Sequence, residues 1–77
     1  MSSKERDLRK AAEECSELAT VLIQQLNKPH KDFTKEITEE TGDALFRLQN
    51  LERHFDGEAI KQRIFSKKLK EKSKFEK

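Results

Sequence analysis

The sequence predicts an all-α protein: an antiparallel helical hairpin plus a third, C-terminal helix, completed by oligomerisation into a helical bundle. Three observations predict it. Two glycines and one proline are the only strong punctuation in 77 residues, no alternating β-branched run marks a strand, and two long segments place apolar residues at i, i+3 and i+4. The need for a partner comes from size. A chain this short buries only about 60% of its unfolded surface and is marginal when it folds alone. It is 42% charged and 32% hydrophobic with a single cysteine, so the disulfides or Cys/His metal clusters that usually staple a small domain are missing. One domain over residues 1–77 is therefore expected to self-associate as a homodimer or homotetramer.

The first helix starts after Ser2, which has capping-box spacing with Glu5, and runs to about Leu26, where Asn27, Lys28 and Pro29 stop it. Leu8, Ala11, Ala12, Cys15, Leu18, Ala19, Leu22, Ile23 and Leu26 form its apolar stripe. Cys15 on that stripe reads as a buried small hydrophobe. A short connection from Asn27 to Phe33 follows, with Asp32 or Thr34 able to cap the next helix. That second helix, roughly residues 35 to 55, is expected to bury Ile37, Ala44, Leu45, Leu48, Leu51 and Phe55, and Asp56-Gly57 to end it. A third helix begins near Glu58. Ile60 and Ile64 share one of its faces and Phe65 and Leu69 another, which asks for two packing partners. The basic tail, residues 70–77, is expected to fray.

Charge is divided unevenly. Residues 66–77 hold six lysines against Glu71 and Glu76, while the chain as a whole is only +2, so residues 1–65 are net acidic. That balance and the absence of a reader motif around the lysines argue against nucleic acid as a partner. A membrane is excluded too, because the longest uncharged stretch is Leu18 to Asn27 and a spanning helix needs about 20 apolar residues. The alternating charges at the amino terminus carry no apolar core of a secretory signal, and Cys15 has no intrachain disulfide partner, so a cytoplasmic setting is expected.

Acidic residues cluster twice, as Glu13-Glu14-Cys15-Ser16-Glu17 and as Glu39-Glu40-Thr41-Gly42-Asp43. At about 100° per residue, with Leu8 as zero, Glu14 lies near 240° and Glu17 near 180°, flanking the first stripe, while Glu13 near 140° points further out. With Ile37 as zero, Glu40 lies near 300° and Asp43 near 240°, on the same flank of the second stripe. Antiparallel helices facing through their stripes bring such flanks to one side. Four carboxylates are thus expected to converge. Like charges so placed raise one another's pKa and destabilise unless a cation neutralises them. An all-oxygen set suits Mg²⁺, or Mn²⁺ as a substitute, and Mg²⁺ so held usually completes its shell with substrate phosphates.

The arrangement EExxE, then 22 residues, then ExxD resembles the MazG-like nucleoside triphosphate pyrophosphohydrolases of the all-α NTP pyrophosphatase superfamily. Glu13, Glu14, Glu17, Glu40 and Asp43 carry the resemblance, with the run AEECSEL (Ala12 to Leu18) and the pattern Ile60, Arg63, Ile64, Lys67, Lys68, Leu69 as context. It implies hydrolysis of (d)NTP to (d)NMP and pyrophosphate with Mg²⁺. It also implies Glu14, Glu17, Glu40 and Asp43 as metal ligands and Glu13 as an auxiliary acid, in dimers or tetramers. Either Glu13 or Glu17 would act as proton acceptor toward the attacking water. Arg47 and Asn50, on the face that bears Glu40 and Asp43, and Arg63, Lys67 and Lys68 in the last helix are the candidate substrate-binding residues; for each, an ordinary solvated charge or an Asp43–Arg47 helix pair is the plain alternative.

Other residues read as structural. His30 and His54 are expected at the surface. Phe46, opposite the second stripe, is expected against a partner subunit, with stacking on a base as the alternative, and Phe33, Phe65 and Phe75 in core or interface. Two other functional readings stand beside the hydrolase: a non-catalytic helical interaction module, and a specialised relative acting on phosphoribosyl-ATP, a pyrimidine dNTP or an alarmone.

Overall fold

The computed structural model describes residues 2–75, with side chains through Ser73. Three helices, α1 (Ser3–Asn27), α2 (Thr34–Glu52) and α3 (Gly57–Phe75), account for most of them, and no strand occurs among the described residues. The all-α expectation holds. Ser2 caps α1 by accepting the Glu5 N–H at 3.1 Å, which satisfies one of the amides a helix start leaves without an intrahelical partner. At the other end the chain turns through residues 28–33. Gln25 fastens that turn: its Nε2 donates to the Lys31 carbonyl at 2.7 Å and its Oε1 accepts the Phe33 N–H at 3.1 Å. Asp32 then accepts the Thr34 N–H at 2.9 Å, so it supplies the turn before α2.

The second boundary differs from expectation. α2 ends at Glu52, residues 53–55 form a turn, and Asp56 caps α3 by accepting the N–H groups of Glu58 and Ala59, each at 3.1 Å. Gly57 is the first residue of α3, and no glycine among the described residues has a positive φ. Asp56-Gly57 therefore opens the third helix rather than closing the second. An aspartate is a better N-cap than a helix stop, because its carboxylate meets free amides there. α3 continues through residues 70–75 of the basic segment, and Glu76, Lys77 and the Phe75 side chain lie outside the described residues.

α1 and α2 pack antiparallel, and α3 makes no comparable contact with either. The molecule measures 43 × 37 × 15 Å. A helix with its side chains is about 10–12 Å across, so the three lie in a single layer. The line of α1 that faces α2 is Asp7, Ala11, Glu14, Leu18, Val21 and Gln25, and α2 answers with Ile37, Glu40, Ala44, Arg47 and Leu51. Of the apolar residues described, only Ala11 (4% exposed) and Ala44 (2%) are fully buried.

The expected stripes thus share Ala11, Leu18, Ile37, Ala44 and Leu51 with the seam the hairpin uses, and the rest of each stripe lies outside it. Leu8, Leu22, Ile23, Leu26, Leu45, Leu48 and Phe55 are all exposed. So is Cys15, against expectation. The reason is geometric: contact with a single helix covers a line narrower than a broad apolar stripe, so Ala11, Leu18, Ile37, Ala44 and Leu51 turn inward while the other large residues lie on a neighbouring face. Part of that face forms a groove of about 350 Å³ between the end of α2 and the start of α3, lined by Leu45, Leu48, Leu51, Phe55, Ile60 and Ile64.

Candidate functional site

Glu14 faces α2 because it lies one turn beyond Ala11 on the packed line, and Glu40 and Asp43 lie one turn apart on the facing helix. Each contributes a carboxylate oxygen, and the three oxygens lie within 4.8 Å of one another. Glu14 and Glu40 are half-buried and Asp43 is exposed. Glu14 Oε2 and Glu40 Oε2 are both shielded from solvent and have no hydrogen-bond partner among the described residues. Desolvation is the largest influence on Glu14 and pushes its carboxyl above the usual range. The charge of Glu17 and its carboxyl contact with Glu14 push the same way, as does the charge of Asp43, while Arg47 opposes them.

The candidate residues fall into three groups. Glu14, Glu40 and Asp43 converge, with Glu17 against Glu14 and Arg47 within electrostatic reach of it. Arg47 also lies 5.2 Å from the centre of the Phe46 ring, so the exposed phenylalanine covers its flank. Glu13 points away and pairs with Lys10 at 3.6 Å. Asn50 is half-buried on α2. Arg63, Lys67 and Lys68 line a groove of about 380 Å³ along α3 with Ile60 and Ile64. No packing of α3 on the hairpin brings them to the carboxylates within one chain. Phe33 is half-buried at the start of α2, and Phe65 is exposed.

A second polar cluster went unforeseen. Asp7, 5% exposed, is the buried charged residue of the described chain. Its Oδ2 accepts from Arg53 Nη2 at 2.9 Å and sits 2.7 Å from His54 Nε2. His54 is thus held in a contact between the helices, not free at the surface. The hydrogen bond from His54, then that from Arg53, hold the Asp7 carboxyl below the usual range against the opposing effect of burial. The signal was present in the spacing. Positions 7, 11, 14, 18, 21 and 25 form an unbroken 4-3-4-3-4 line, which a search for apolar residues alone passes over because three of its six members are polar or charged.

Comparison with family models, with curated proteins and with solved structures finds no match. No helix among the described residues is long and apolar enough to cross a membrane.

Proposed function

We propose that this chain is a Mg²⁺-dependent nucleotide pyrophosphohydrolase that converts a (d)NTP to a (d)NMP and pyrophosphate in the cytoplasm. The observation that carries the reading is the convergence of Glu14, Glu40 and Asp43 with two shielded carboxylate oxygens left without partners. A buried acceptor with no donor is costly. A hard cation fits this all-oxygen set, and sulfur and imidazole are absent from it. Glu14, Glu40 and Asp43 would hold Mg²⁺, or Mn²⁺ in its place, with Glu17 as the adjoining ligand. Bound there, the ion supplies Lewis acidity toward phosphate oxygens and neutralises their charge.

The chain's own residues do the rest. Glu17, exposed beside Glu14, accepts the proton of the water that attacks the α-phosphorus. Glu13 is the other candidate acceptor and must first release Lys10. Arg47 stands where it can meet a phosphate oxygen, and Asn50, on the same helix, can hydrogen-bond ribose or base. Arg63, Lys67 and Lys68 suit the β- and γ-phosphates, and they reach the carboxylates only in an assembly. In this reading the chain works as a homodimer or homotetramer, supported by its single-layer shape and by the aliphatic face it leaves uncovered.

Release of pyrophosphate from each dNTP and NTP, with Mg²⁺ and with chelator, tests the reading. Glu14→Gln and Asp43→Asn chains should stay helical and lose Mg²⁺-dependent release; full activity in both overturns it. The uncovered aliphatic face also favours a second reading, a non-catalytic helical interaction module whose acids are a plain charged surface. That module would show neither turnover nor a rise in Tm with Mg²⁺.

A further inference from the structure

Asp7 lies outside the carboxylate cluster, yet its side chain is 7% exposed and joined to residues 46 and 47 positions away. The same ends are tied a second time, by Lys4 Nζ lying 5.1 Å from the centre of the Phe55 ring. The geometry points to Asp7, Arg53 and His54 as positioning residues that set the register of α1 against α2 and so keep Glu14 opposite Glu40 and Asp43. Seven residues along α1 from Asp7, about 10.5 Å at 1.5 Å per residue, stands Glu14; seven residues before His54 stands Arg47, whose charge acts on Glu14, with the last five residues of α2 and the start of the following turn between them. The outer pair and the inner pair therefore share one alignment of the two helices.

The apolar seam is poorly suited to impose that alignment. Among the described residues its fully buried members are alanines, whose small surfaces accept neighbouring registers with little loss, and Leu18, Val21, Ile37 and Leu51 beside them are only half-buried. Between the two ends the carboxylates repel, which works against the observed alignment. The register is held instead by polar contacts at either end, Gln25 at the turn and Asp7 at the open end. Buried polar pairs fix register in helical assemblies because a slip leaves them unpaired. A slip of one turn would move Glu14 by about 5.4 Å, more than the 4.8 Å that spans the three oxygens. The register claim stands by itself; its bearing on cation binding rests on the hydrolase reading.

Two measurements on the full chain test it: Mg²⁺ affinity by calorimetric titration, and the intramolecular α1–α2 NOEs of an isotopically diluted, cation-free sample. Asp7→Asn and His54→Leu should each weaken Mg²⁺ binding about tenfold, or about 1.4 kcal/mol, and should change the NOE set. His54→Gln, whose Nε2 can donate to the same carboxylate, should restore both. Ser2→Ala weakens the same end of α1 without touching the pair, and should leave both unchanged. Wild-type NOEs in His54→Leu and Asp7→Asn, equal losses in Ser2→Ala, or failure of His54→Gln to recover overturns the proposal. Should Asp7→Asn not fold, the two His54 variants decide it. A wild-type chain that binds no Mg²⁺ removes the hydrolase reading and leaves the NOE comparison to decide the register.

Discussion

Asp7 Oδ2 sits 2.7 Å from His54 Nε2, joining the first turns of α1 to the turn that follows α2. That contact carries a pH dependence. Because His54 and Arg53 hold the Asp7 carboxyl below its ordinary value, its contribution is fully present above the unfolded-state pKa and is lost as pH falls through the lower folded value. The wild type should melt several degrees above Asp7→Asn at pH 7. Thermal melts across the acid range should show the gap closing.

Glu14 has the opposite sign. Its carboxyl is pushed up, first by desolvation and then by Glu17, so the ionised group opposes folding above its raised pKa, and the penalty fades as pH falls below it. In chelator at pH 7, Glu14→Gln should melt at or above the wild type. In excess Mg²⁺ the order should reverse, because the wild type alone gains from the ion.

Gly42 lies inside α2 between Glu40 and Asp43, and a Cβ built there meets nothing within 4 Å. Gly42→Ala should therefore stabilise the chain by about 0.5–1 kcal/mol through its smaller unfolded-state entropy. Urea melts of the pair would show it. A loss of stability would mean that something absent from one chain occupies that space.

Ala11 and Ala44 are the fully buried apolar residues of the described seam. Ala44→Leu should cost about 1–3 kcal/mol by overpacking. Leu22→Ala and Leu45→Ala, on the exposed face, should instead leave helix content intact and lower the assembled mass measured by light scattering. Equal loss of helicity in all three variants would show that the hairpin does not distinguish the two faces.

Local signals were the most legible part of the fold. The Ser2 cap, the turn at Pro29 and the helical periodicity each act within a few residues, and each stands where the sequence puts it. The convergence of Glu14, Glu40 and Asp43 was legible for the same reason, since helical phase and a short connection nearly determine it. The choice of seam was not. Ala11, Leu18, Ile37, Ala44 and Leu51 belong both to the apolar stripes and to the seam, but which flank of each stripe turns inward with them depends on the facing helix, a property of the pair. Asp7 and His54 were hidden likewise, because a polar residue declares its role only when its partner is known. Asp56-Gly57 misled by serving two motifs, and the capping carboxylate won.

In the proposed assembly, the 15 Å depth of the layer would make abundance a thermodynamic variable for this protein. Where burial is completed by a neighbour, mass action couples folding to the quantity of that neighbour present. Dilution of such an assembly would then act as a denaturant, and the amount of chain present would help decide what fraction of it is folded.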